Sequence, residues 1–334
     1  MTRPIIQNEE ERNVVVNPTM LLDGHTVLIG ENLYNGLKSI RHLKSEICDS
    51  NLWLWVDALC INQSDVQEKG HQVRLMRQIY EAAEMVLVWL GTGDRHIRDA
   101  MKVLNLEAGE FEDHVFRGRL TEHEMMGISG ISEMSYWQRV WILQEVVLAT
   151  NYLVVCGNAY VTMENFERAL SILCDPKWQI HDDRSEALLR RRVGLERSPA
   201  KKIITQRDVQ GRTSPLYKWL LICTECFFGA TDPRDFVYAL LGISDNCEGK
   251  IEPDYSRSAR EVYCSAIAVN KAERYNPYMW DKLAHMMGLD VVADQVWEEV
   301  CGREIEQRAS WRKKEEASAT SECDSLDSLD SEYS

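Results

Sequence analysis

Two groups of polar side chains stand where the surrounding apolar sequence would concentrate chemistry. The first is Asp57, Cys60, Asn62 and Gln63, which follow the apolar run at residues 52–56. A carboxylate there could hold a polar substrate group, and the two amides could meet a ribose hydroxyl or a carbonyl. The same residues also have a purely local account, since Asp caps turns and Asn bonds its own backbone in Asx turns. The second is Glu145, four residues after Trp141 in the run Val140-Trp141-Ile142-Leu143-Gln144-Glu145-Val146-Val147-Leu148. Spacing of four puts Glu145 on the face of Trp141 if the run is helical. That helix is apolar nearly all round and should be buried, where an unpaired carboxylate costs several kcal/mol. Either a function or an ion pair must offset that cost. Arg139 falls on a different face, so Arg234 or another distant base is the more natural partner.

The elements that would position these groups follow from periodicity. Residues 53–91 read as strand, polar loop, amphipathic helix and second strand, the strands being short apolar runs suited to a sheet buried on both faces. In an α/β sheet, ligands bind at the carboxyl ends of the strands, which is where Asp57 falls. A hairpin is expected at residues 20–29 about Asp23-Gly24, a helix over 31–47, a helix over 65–84, and a strand over 85–90. Asp94 should cap a further helix to about residue 106. Residues 107–135 are acidic, hold four glycines and break long periodicity, so they read as a mobile insertion with at most short helices. A single helix over 136–149 then feeds a strand over 152–156 closed by Gly157-Asn158, and a helix over 163–173. Charged residues dominate 177–213, with Arg190, Arg191 and Arg192 as a basic patch in a linker helix. The rest is helical.

Bulk properties narrow the function class. The chain has 334 residues, 45% hydrophobic and 27% charged, enough for about two domains. A net charge of -15 argues against nucleic acid as a partner, because phosphate binding needs a Lys/Arg excess. Part of that acidity is a tail from Glu315 with no Lys or Arg. Ten scattered cysteines, no apolar h-region in MTRPIIQNEEERN and no run long enough to span a membrane point to a reduced, cytoplasmic protein. Cys223 and Cys226 lack a second pair for zinc and read as two cysteines on one buried helical face; no metal site is expected. Asp232-Pro233-Arg234-Asp235 reads as a helix start, with Asp232 as N-cap and Asp235 at the positive helix end, leaving Arg234 free to pair.

The residues also carry a family resemblance. Leu54-Trp55-Val56-Asp57-Ala58-Leu59-Cys60-Ile61-Asn62-Gln63, with Gln72, Met76, Ile79-Tyr80, Ala83 and Trp89-Leu90-Gly91, resemble the fungal heterokaryon incompatibility (HET) domain. Arg139-Val140-Trp141-Ile142-Leu143-Gln144-Glu145 and Cys156-Gly157 are similar to its second block. Asp232-Pro233-Arg234-Asp235, Tyr238-Ala239-Leu240-Leu241-Gly242 and Pro253-Asp254-Tyr255-Ser256 resemble the segment that follows it. The likeness spans roughly residues 20–265 in three ordered blocks.

That resemblance implies a role in fungal self/non-self recognition and programmed cell death, with other incompatibility or signalling proteins, or a second copy of the chain, as partners. It implies an α/β fold, a flavodoxin/TIR-like sheet flanked by helices with a mainly helical C-terminal extension. It implies NAD as a substrate rather than a resident cofactor, with Glu145 as the catalytic carboxylate and Asp57, Cys60, Asn62, Gln63, Trp141 and Arg139 around the bound molecule. A non-catalytic module that signals by self-association is the alternative. One departure bears on activity: nothing upstream of Met20 matches the family's opening A-L-S-Y-x-W-G strand. Either Val14-Val15-Val16 substitutes for it, or the first strand is lacking and the chain is an inactive, truncated member. The expected organisation is an arm at 1–18, the HET-like domain at 19–176, the charged linker at 177–213, the helical extension at 214–300 and a Ser-rich acidic tail at 301–334.

Overall fold

Residues 18–47, 52–175, 185–210, 213–271 and 276–302 are described by a computed structural model. Strands β1 (Thr19–Leu22) and β2 (His25–Leu28) form the expected hairpin. Its turn residues Asp23 and Gly24 both have positive φ, 51° and 81°, the geometry whose twist matches paired strands.

A three-stranded sheet lies at the centre. Strand β3 (Val86–Trp89) runs parallel to β4 (Tyr152–Cys156), with Val86 opposite Tyr152. Strand β5 (Ala159–Thr162) returns antiparallel on the far side of β4 through a turn at Gly157, whose φ is 57°. All five residues of β4 are buried, as an all-apolar strand flanked on both sides requires. The fold is α/β, with helices in the majority.

Residues 52–56 are not the strand that their composition suggests. They run without regular structure into the short helix Asp57–Cys60. Trp53 is 91% exposed and Leu54 41%. Among the described residues β3 pairs only with β4, so no ladder holds the 52–56 run in a sheet. The Val14-Val15-Val16 substitute lies outside the described residues.

Helix Glu31–Ile47 backs the sheet, with Leu43 packed beside Leu153 and Val155. Its Gly36 lies under the Trp89 indole, where a Cβ would come within 3.2 Å of the ring. Helix Val66–Ala82 starts at Asp65, whose carboxylate accepts from Gln67 N and Glu68 N, and buries Val73 and Met76. Asp94 caps Arg95–Leu104 in the same way through Ile97 N.

The expected mobile insertion is instead two packed helices, Ala108–Phe116 and Glu122–Glu133. They bury Phe111, Val115, Met125, Ile128 and Ile131. Thr121 and Glu124 form a reciprocal capping box at the second helix. Of the glycines in this stretch, Gly118 turns the chain at a φ of 65° and Gly127 serves packing. At Gly127 a Cβ would stand 2.3 Å from the His96 carbonyl oxygen, so only glycine lets these two backbones touch.

The helix expected over 136–149 is broken. A 3-10 turn covers Ser135–Gln138, Arg139 is extended, and the α-helix is confined to Ile142–Leu148. The interruption has a tertiary cause: Arg139 bridges Gly229, with Gly229 N donating to Gln138 O and Val140 N donating to Gly229 O.

Helices Ser185–Arg197 and Pro199–Gln210 occupy the segment rich in charge. They send Leu195, Ala200, Ile203 and Ile204 into the core. Arg192 uses its guanidinium on Leu173 O and Asp175 O, at the carboxyl end of helix Met163–Leu173. One contiguous apolar core runs from Val73 through these helices to Trp297. It takes in Leu216–Cys226, Asp235–Tyr238, Ala259–Val269, Pro277–Met286 and Ala293–Cys301. Among the described residues no helix is long and apolar enough to cross a membrane.

Candidate functional site

Glu145 sits on the first turn of Ile142–Leu148, facing groups from three other elements. Tyr136, in the 3-10 turn, donates its phenolic proton to Glu145 Oε2 at 2.5 Å. Burial pushes the Glu145 carboxyl above the usual range. The Arg139 charge and the Tyr136 hydrogen bond pull it back, and the Asp57 charge adds to the rise. Tyr136 and Tyr80 are both held well above an ordinary phenol, first by burial and then by the Glu145 charge. They therefore remain proton donors. Among the described residues Glu145 Oε1 makes no hydrogen bond, and the side chain keeps partial exposure. One oxygen is anchored and the other is available.

Aromatic rings border this carboxylate. Trp55 meets Tyr80 edge to face at 6.1 Å, and the Arg139 guanidinium lies 6.0 Å from the Tyr136 ring centroid. Contrary to the helical-wheel expectation, Arg139 and not Arg234 is the base whose charge Glu145 feels. The break in the helix explains this, because extended backbone at Arg139 removes the 100° per residue geometry on which that expectation rested. Arg234 is committed elsewhere: it pairs with Asp232 at 2.7 Å and donates to Tyr255 O and Arg257 O.

Asp57, Arg139, Trp141 and Glu145 thus come from separate stretches to one neighbourhood. The remaining loop residues are engaged locally. Val56 N donates to the exposed Cys60 Sγ at 3.5 Å. Asn62 Oδ1 accepts from Ser64 N in an Asx turn, and Gln63 Nε2 reaches Asp57 O at 3.4 Å.

Sequence reasoning missed Tyr136, and it assigned neither Tyr80 nor Asp235 to this site. Asp235 opens the short helix Asp235–Tyr238, as expected, but its carboxylate is also used inside the protein. The residue is 6% exposed, and its carboxylate accepts from Trp141 Nε1 at 3.1 Å and from the Tyr255 hydroxyl at 2.6 Å. A Tyr nine residues before a buried Glu, or an Asp 94 residues after a Trp, has no periodicity by which to be found.

Cys223 and Cys226 have thiols pushed up by burial, opposite to the thiolate character that metal binding or redox exchange needs. Among the described residues no group of three or more His, Cys, Asp or Glu side chains is placed to hold a metal ion.

Comparison with known proteins bears on the same residues. Residues 6–145 match the family model described as Heterokaryon incompatibility protein (HET). The match ends on Glu145 itself. Heterokaryon incompatibility protein 6, OR allele, of Neurospora crassa is 28% identical over 273 residues, covering 66% of this chain and 39% of that protein. The chain therefore spans well under half the length of that relative. No solved structure gives a significant match.

Proposed function

Because this chain is a HET-domain protein, we propose that it acts in fungal heterokaryon incompatibility, and that its output is cell death driven by NAD cleavage at Glu145. The reading is carried by one observation: a carboxylate with Oε2 fixed by Tyr136 and Oε1 unpartnered, bordered by aromatic rings. The parallel pair β3–β4 with helices between them is the part of the fold that supports a TIR-like ancestry.

The chemistry asked of Glu145 is electrostatic. As the bond between the ribose C1′ and the nicotinamide nitrogen breaks, the bonding pair leaves with nicotinamide, which becomes neutral. The ribose becomes oxocarbenium-like, and Glu145 Oε1 faces that developing positive charge. Water then adds at C1′ and releases a proton, giving ADP-ribose. Tyr136 holds the carboxylate in place through the step. Asp57, Cys60, Asn62, Gln63 and Arg139 form the surrounding contacts in this reading. Trp141, whose indole nitrogen is occupied by Asp235, contributes its ring face.

The test is nicotinamide release from NAD by the purified full chain, with Glu145→Gln as control. Release by the wild type and its loss in a folded Glu145→Gln protein is the expected result. No release from folded protein at high concentration would remove the enzymatic reading.

A second reading, signalling by self-association without catalysis, is favoured by the exposure of Trp53 and Leu54 beside the Asp57 helix. Under it, Trp53→Ala abolishes cell death in a fungal host and Glu145→Gln does not.

A further inference from the structure

The residues at 232–257 grip both helices that build the candidate site. Asp235 Oδ2 accepts from the Trp141 indole at 3.1 Å, one turn before Glu145. Its other oxygen, Oδ1, accepts from the Tyr255 hydroxyl at 2.6 Å. Lys69 Nζ lies 3.8 Å over the Tyr255 ring, and the Arg234 guanidinium lies 5.2 Å from that ring's centroid. Lys69 belongs to Val66–Ala82, the helix that carries Tyr80. The next residue, Gly70, lies so near the chain that a Cβ there would stand 3.1 Å from the Pro253 carbonyl oxygen. Gln144, on the helix of Glu145, has its side chain against Gly242, where a Cβ would come 2.9 Å from Nε2.

This carboxylate is buried, and among the described residues it makes no direct ion pair. A buried charge is tolerated when donors saturate it, and here both oxygens are used. The donors come from segments far apart in the chain, so the carboxylate joins them as no apolar residue could. Truncating it would leave a Trp N–H and a Tyr O–H unpaired inside the protein.

We propose that Asp235 is a positioning residue of the Glu145 site: by holding the Trp141 indole and the Tyr255 hydroxyl on its two oxygens, it fixes the turn that presents Glu145 to substrate. The proposal rests on the reading of Glu145 as the functional carboxylate. It goes beyond that reading by making residues 232–257, outside the matched family segment, part of the same working unit.

Two readouts on the full chain test it. The first is the indole proton–nitrogen resonance of Trp141, identified by its disappearance in Trp141→Phe. In the wild type its proton should exchange slowly with solvent, and in Asp235→Asn the resonance should move and exchange faster. Tyr255→Phe, which removes only the other donor, should move it less. The second readout is NAD cleavage. Asp235→Asn should lower kcat roughly ten- to 100-fold with KM little changed, the signature of a misplaced catalytic group. A merely structural role would lower thermal stability and leave the kcat of the folded protein intact. An indole resonance unmoved by Asp235→Asn overturns the proposal whatever the activity. If the wild type does not cleave NAD, the enzymatic reading fails alone, and the indole result still decides the positioning claim. Should Asp235→Asn not fold, fast exchange of the wild-type Trp141 proton overturns it.

Discussion

The phenol of Tyr136 and the carboxylate of Glu145 share one short hydrogen bond, 2.5 Å from oxygen to oxygen, across a break in the helix that would otherwise separate them. The bond makes the two residues opposite in their effect on stability. Tyr136→Phe removes the donor that Glu145 Oε2 accepts from and should destabilise the protein by about 1–3 kcal/mol, read from urea unfolding. Glu145→Gln should cost little, because the amide oxygen still accepts from Tyr136 and the burial of a charge is relieved. A loss in Glu145→Gln matching that in Tyr136→Phe would contradict this account.

The pH dependence has a definite sign. The folded carboxyl of Glu145 titrates above its unfolded value because burial disfavours the anion. The folded state therefore holds the proton more tightly, so stability should fall as pH rises from the unfolded carboxylate value through the folded one. Glu145→Gln should flatten this limb. Thermal melts of the two proteins across that pH range are the check, and an unchanged slope would refute it.

Neighbouring charges should move that titration in opposite directions. Asp57 raises the Glu145 value and Arg139 lowers it. Asp57→Asn should therefore shift the midpoint down, and Arg139→Gln should shift it up. The carboxyl carbon resonance of Glu145 followed by NMR would show this directly. Shifts of the same sign in both variants would mean that conformational change, not charge, is responsible.

Gly127 is the tightest test of how helix Glu122–Glu133 packs on helix Arg95–Leu104. A methyl group there meets the His96 carbonyl oxygen and the Ala100 side chain, neither of which can rotate away. Gly127→Ala should cost about 1–3 kcal/mol as the helices separate, despite alanine's better helix propensity. A stabilised variant, measured by denaturant unfolding, would show that the two helices are not packed this way.

The capping boxes give smaller effects of known size. Thr121→Ala and Ser258→Ala each remove a side-chain acceptor for the third backbone N–H of a helix. Each should cost about 1 kcal/mol, read from urea unfolding, and a loss of several kcal/mol in either would contradict this.

What the sequence made legible was local. Helix Glu31–Ile47, the helix that begins after Asp65, the cap at Asp94, the Asp23-Gly24 hairpin and strand β4 all follow from periodicity and turn chemistry, and the structure keeps them. What it concealed was decided by partners distant in the chain. Residues 52–56 have a strand's composition but no ladder neighbour among the described residues. The 136–149 stretch has a helix's composition, but Gly229 pulls Arg139 and Val140 into a bridge. In the candidate site, Glu145 and Trp141 drew notice through their spacing. The hydrogen bonds of Tyr136 to Glu145 and of Asp235 to Trp141 were not legible, because hydrogen bonds between elements leave no period in one dimension.

The reach of the Asp235 contacts also sets an order in time. Trp141 and Glu145 leave the ribosome well before Asp235 and Tyr255, since about 110 residues separate Glu145 from Tyr255. At ordinary synthesis rates that interval lasts on the order of 5–20 s. Throughout it the nascent chain holds Glu145 without the contacts that set its helix in place. A protein whose proposed output is lethal to the cell is thus made with its proposed catalytic carboxylate unassembled, and the pieces meet only once most of the polypeptide exists.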